Sequence, residues 1–167
     1  MADKKFKNIT GEEFTIDQII GHIKKFLHTD INAQFSLTIG TDSETRIDPH
    51  KGEVLELITA IVMYRKGFGG RYFWTKTKMA KNKSLRDKIY QEVMLSLDVA
   101  QDLVPRLKQQ LNGQSSLYDL EIHIDVGEGG KTREMIKEVV GMVTGMGFTA
   151  KTKPYSYAAS NVADRYN

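Results

Sequence analysis

FSLTIGTDSE, residues 35–44, reads as a core strand that runs into acid. Phe35, Leu37 and Ile39 alternate with small or polar neighbours, the period-two pattern of a half-buried strand. One Gly later the chain reaches Asp42 and Glu44. A charge at the end of a buried strand is costly unless something pairs with it.

Upstream, Thr15-Ile16-Asp17-Gln18 has the form of a capping box, with Phe14 and Ile19 spaced for a hydrophobic staple. Ile16, Ile19, Ile20, Ile23 and Leu27 repeat at helical spacing, which predicts a helix to about residue 28. Downstream, TRIDPHKGE predicts a polar loop into a second, long strand, GEVLELITAIVMYRKG, rich in β-branched residues. RKGFGG predicts a turn into a third strand, RYFWTKTK, and the three form an antiparallel meander. Ser84 with Asp87 three residues on predicts a helix start. Its pattern runs through Leu85, Ile89, Val93, Ser96, Ala100, Leu103 and Leu107, with Pro105 expected to kink or shorten it.

After the break LNGQSS, LYDLEIHIDV predicts a fourth strand with Leu120, Ile122, Ile124 and Val126 on one face. GEGG is a turn, and KTREMIKEVVGMVTGMG a helix ending at Gly145 or Gly147. FTAKTKP is a short fifth strand stopped by Pro154, and YSYAASNVADRYN a short terminal helix. The order α, β-β-β, α, β, α, β, α predicts an α/β fold, a mixed sheet with helices on its faces. The expected division is an N-terminal tail over 1–14 and a single domain over 15–167.

Composition excludes several classes. There is no Cys, which removes disulfides, thiolate metal sites and Cys nucleophiles. No segment approaches the apolar length of a membrane-spanning helix, and MADKKFKNITGEEF has no apolar run after its charges, so a cytoplasmic protein without membrane attachment is expected. The net charge of +3 is only a mild hint toward polyanionic partners and proves nothing by itself, so the position of the charges matters more.

If the first and fourth of these strands lie parallel and adjacent, Asp42 and Asp125 emerge at the same sheet edge, where α/β proteins place their sites. Glu92 falls at the border of the buried helix face, turned toward the sheet. Asp164 is the fourth acid, flanked by Ala158, Ala159 and Ala163. Each acid taken singly is ordinarily a turn, cap or ion-pair residue; the weight lies in their joint placement. Clustered carboxylates raise one another's pKa, and a divalent cation relieves the conflict. Oxygen ligands suit Mg²⁺ or Mn²⁺, and two such ions stabilise the attacking and leaving oxygens when a phosphodiester is cut. Glu44 shares a face with Asp42 and is a reserve ligand. His123, two residues before Asp125, is a candidate proton shuttle, although a structural sheet-face His is the commoner role. His50 belongs to the expected loop.

At these residues the chain resembles a known group. FSLTIGTDSE, IHIDVGEGGKTREMI and YAASNVADRY are similar to the YkuK-type family of the ribonuclease H-like superfamily, over nearly the whole chain from about residue 8. The resemblance implies a five-stranded sheet of order 3-2-1-4-5 and a DEDD-like two-metal site. By position it implies Asp42 and Asp125 as principal ligands, Glu92 as a ligand that also orients water, and Asp164 as ligand of the second metal.

GEGGKT, residues 127–132, fails as a P-loop because Asp125 stands where the motif needs Gly. A Gly-rich turn opening a helix remains, with Gly129, Gly130 and Lys131 as phosphate-binding candidates. In WTKTKMAKNKSLR, Lys76, Lys78, Lys81, Lys83 and Arg86 cluster beside Trp74, a pattern suited to gripping a polynucleotide and equally to a Lys-protected edge strand. Tyr155 and Tyr157 read as packing groups ahead of base-stacking ones. The expected function is a metal-dependent nuclease or phosphodiester-processing enzyme acting on RNA, DNA or a hybrid. The alternatives are a non-catalytic nucleic-acid-binding module and an actin-like nucleotide-binding domain; the latter normally needs two such domains.

Overall fold

The computed structural model describes residues 4–30, 32–65, 67, 69–81, 84–112, 118–153 and 156, with the Lys131 side chain outside that description. Phe6 and Phe14 face each other across a short hairpin, where β1 (Phe6–Lys7) pairs antiparallel with β2 (Glu13–Phe14). Asn8 closes it, its Oδ1 accepting the N–H groups of Thr10 and Glu12, each at 3.0 Å. Two-residue strands carry no alternation to read, so the sequence pattern does not announce them.

Helix α1 (Ile16–Leu27) starts as its sequence requires. The Gln18 N–H donates to Thr15 Oγ1 at 3.2 Å, and the Thr15 N–H donates to Gln18 Oε1 at 2.8 Å. Two otherwise unpaired N–H groups are satisfied by this exchange. Thr15→Ala is expected to lower stability by about 1 kcal/mol in urea denaturation; an unchanged midpoint would show that the cap contributes nothing.

Strands β3 (Phe35–Asp48), β4 (Gly52–Arg65) and β5 (Gly69–Ala80) form the meander. The expected loop TRIDPHKGE is mostly strand. Pairing runs out to Asp48↔Gly52, and the turn is closed by Asp48 Oδ1 accepting the N–H groups of His50 (2.8 Å) and Lys51 (3.0 Å). Those bonds hold the Asp48 carboxyl below its ordinary pKa.

Helix α2 (Leu85–Gln110) runs without interruption through Pro105. Pro105 does not shorten it: Pro105 and Gln101, whose carbonyl loses its helical donor, both face solvent. Strand β6 (Tyr118–His123) lies parallel to β3, a 3-10 turn (Gly130–Met135) leads into α3 (Ile136–Gly145), and β7 (Thr149–Lys151) lies parallel to β6. The terminal segment expected to be helical lies outside the described residues, with Tyr155, Tyr157 and Asp164.

Among the described residues the sheet is mixed and has seven strands in the order β2-β1-β5-β4-β3-β6-β7, not five. The order 3-2-1-4-5 is present as the run β5-β4-β3-β6-β7, widened beyond β5 by the N-terminal hairpin, which pairs Lys7 with Trp74. The hairpin stays because Phe6, 0% exposed, packs into the core that Phe14, Phe73 and α1 share. All three described helices contribute to that core on one sheet face, against Phe35, Leu37, Ile39, Ile61 and Phe73. By strand alternation the opposite face presents Ile58 and Ala60, with Val62, Tyr72 and Trp74 packed on them. No described helix is long and apolar enough to cross a membrane.

Candidate functional site

Strand β6 ends while β3 continues. Their last pair is Gly40↔His123, and the same parallel register carried two residues further sets Asp42 beside Asp125. Asp42 is therefore not at the end of its strand, as expected, but in the middle of β3, at the point where one neighbour stops. Alternation places Asp42, His123 and Asp125 on the face opposite the helices. Glu92 comes from α2 on the helix side. Beyond that last pair, Glu92 senses the charges of Asp42 and Asp125 across the sheet.

Ser43 is the link. Its N–H donates to Asp42 Oδ1 at 2.9 Å, and its hydroxyl donates to Glu92 Oε1. One turn along α2, the Ser96 hydroxyl pairs with Thr41 Oγ1 at 2.8 Å, and Thr41 pairs with Thr59 of β4 at 2.9 Å. This buried hydroxyl ladder pins α2 on β3 and β4 and thereby sets the depth of Glu92.

Glu92 is 4% exposed. Burial pushes its carboxyl up to about 8, and the charges of Asp42 and Asp125 push the same way, opposed by the Ser43 hydrogen bond and by Lys88. The three acids thus form one electrostatic group. A fourth member, Lys153, was not anticipated. Its Nζ lies 2.8 Å from Asp125 Oδ1, and that hydrogen bond, with the charges of Asp125, Asp42 and Glu92, raises the pKa of the ammonium.

A hard divalent cation fits this edge by charge and by donor type, since the donors are carboxylate oxygens and a cationic ammonium already stands among them. The side chains do not yet enclose an ion: among the described residues, no three Asp, Glu or His groups converge on one point. Asp164 lies outside the described residues.

The other candidates are dispersed. Glu44 forms an ion pair with Arg46 at 2.9 Å, which engages the reserve ligand. His50 sits in the β3–β4 turn, away from the acids along β3. His123 is buried, its pKa lowered to about 4 by burial and by Lys151, so it is neutral at neutral pH. Gly129 precedes the 3-10 turn and Gly130 opens it at φ +78°, while the Gly127 N–H meets Thr132 Oγ1 at 3.2 Å.

The basic stretch is not one patch. Lys76 and Lys78 are exposed on the face opposite the helices, where Trp74 is half-buried. Lys76 Nζ reaches Glu56 at 3.4 Å, and Lys81 pairs with Glu53 at 2.7 Å. Arg86 belongs to the helix side, paired with Glu138 of α3 at 2.8 Å and stacked over Tyr90. Lys83 lies outside the described residues. The hairpin brings Lys5 and Lys7 into a groove with Trp74 and Lys76, the Lys7 ammonium 5.8 Å from the Trp74 ring.

Lys153, Ser43 and Lys7 escaped the sequence reading. A cue for Lys153 was present: Lys151 and Lys153 alternate along a strand expected to run beside the one bearing Asp125. Ser43 and Lys7 carry no cue without the strand pairing.

Comparison with known proteins agrees with the geometry. The family model described as Ribonuclease H-like matches residues 18–167. The chain is 32% identical over 178 residues to "Uncharacterized protein YkuK" of Bacillus subtilis (strain 168), covering 99% of each chain. No solved structure matches the chain.

Proposed function

The chain belongs to the YkuK-type ribonuclease H-like family, and from that premise we propose that it is a metal-dependent nuclease or phosphodiester-processing enzyme acting on nucleic acid. The observation that carries this reading is the coupling of Asp42, Glu92 and Asp125 at the edge where β6 leaves β3. Asp42 and Asp125 would be the principal holders of Mg²⁺ or Mn²⁺, with Glu92 and, by position in the chain, Asp164 completing the set. Such ions, when bound, supply a nucleophile from water and neutralise charge on a phosphodiester.

The chain's own residues prepare this edge. Ser43 holds Asp42 and Glu92 in fixed relation through two hydrogen bonds. Burial holds the Glu92 proton at neutral pH, and the charge of a bound cation would favour its release. Lys76, Lys78 and Trp74 share the face of Asp42, so a polynucleotide laid over them would lead to the acids. Lys5 and Lys7 extend that track, whereas Arg86 stands on the helix side and Lys81 at the far end of β5.

The test is a panel of RNA, DNA and hybrid substrates incubated with Mn²⁺ or Mg²⁺ and with chelator. Cleavage that needs the ion is expected; cleavage that persists in chelator removes the reading. A second reading, a nucleic-acid-binding module without turnover, is favoured by the Lys153–Asp125 ion pair, which neutralises one acid without any metal. Salt-dependent binding with no cleavage under either ion would select it.

A further inference from the structure

We propose that Lys153 is a resident cation of the acidic edge, occupying Asp125 in the metal-free chain and leaving it when a divalent ion enters, so that it competes with the metal. The inference rests on the metal-site reading above. Lys153 is placed there by three separate features. The pairing of β7 with β6 is prolonged past both strands: the Ile124 N–H donates to Lys151 O at 2.9 Å and the Lys153 N–H to Val126 O at 2.7 Å. The stem then crosses Gly127, where a Cβ would stand 3.0 Å from Lys153 Cβ and 3.6 Å from its Cδ. Any larger residue at 127 would crowd that path. The ammonium ends 2.8 Å from Asp125 Oδ1.

Lys153 also has freedom to go. Its side chain is 56% exposed and that of Asp125 30%. An ion pair this open is weak, and two positive charges on a hard ion outcompete one on a flexible stem. The displaced ammonium swings into solvent with little burial to lose.

The experiment is calorimetric titration of Mn²⁺ into the metal-free full chain, which reads binding and not turnover. Lys153→Met is expected to tighten Mn²⁺ binding roughly three- to tenfold. Lys151→Met removes the same charge two residues away, from a lysine whose Nζ lies 3.5 Å from Glu121, and should change the affinity less than twofold. Unchanged or weaker binding by Lys153→Met, or equal tightening by both variants, would overturn the role of Lys153 and leave the metal site standing. If Asp125→Asn leaves Mn²⁺ binding unchanged, or if no variant binds Mn²⁺, the metal site falls and the role of Lys153 falls with it.

Discussion

The double variant Asp42→Asn, Asp125→Asn loses Mn²⁺-dependent cleavage by about 100-fold or more, because a bound ion stabilises the transition state by several kcal/mol and each 1.36 kcal/mol is a factor of ten. Its folded state is expected to hold, since the ion pair it gives up, Lys153–Asp125, is open to solvent and contributes little. The two carboxylates push Glu92 in the unfavourable direction, and removing their charge relieves that repulsion. Thermal unfolding in chelator is therefore expected at the wild-type temperature or slightly above. This combination separates loss of a site from loss of the fold. The Asn side chains preserve shape, and the amide introduced by Asp42→Asn still offers an oxygen to the Ser43 N–H. Cleavage within a few-fold of wild type by the folded double variant would refute the assignment of both acids.

Glu92 produces the second large effect, on stability. Its folded pKa of about 8 lies above the ordinary value of 4.5. Between these values the native chain holds a proton that the unfolded chain has released. The stability Glu92 lends is complete below the lower value and is lost as pH rises through the higher one, at up to about 1.4 kcal/mol per pH unit. His123 works in the opposite sense, with a folded pKa of about 4 below its ordinary 6.5, so its influence is over above pH 6.5. In chelator, wild-type stability is expected to fall by about 2 kcal/mol from pH 6 to pH 8 relative to Glu92→Gln. Gln keeps an oxygen for the Ser43 hydroxyl but has no proton to lose. Parallel pH profiles for the two chains in urea denaturation would mean that Glu92 is already ionised in the fold. Saturating Mn²⁺ should flatten the wild-type profile, because the ion takes over the proton's part.

Much of the architecture was legible because its signals are local. The Thr15 capping box, the period of α1, the β-branched run of β4 and the alternation of β6 each lie within a few consecutive residues. The errors have local causes too. TRIDPHKGE looks like a loop by composition, yet pairing with β4 keeps Thr45–Asp48 extended, since a partner strand satisfies a polar backbone as well as an apolar one. Pro105 looks like a break, yet the residue whose carbonyl it frees, Gln101, faces solvent and the helix continues. The hairpin at Phe6 and Phe14 is too short to carry any period.

The chain by itself determined the mixed α/β order and the identity of the acids, because strand and helix periods, and a charge set against an apolar run, are properties of neighbouring residues. Tertiary structure alone decided how those acids meet. It ended β6 two residues before Asp125, let β3 run on, and placed Ser43 between Asp42 and Glu92. It laid Lys153 across Gly127 onto Asp125, and it divided a continuous basic stretch between two sheet faces. The physical reason is that electrostatic energy depends on distance through space and on burial, and both are set by pairing between strands as distant in sequence as Phe35 and Tyr118.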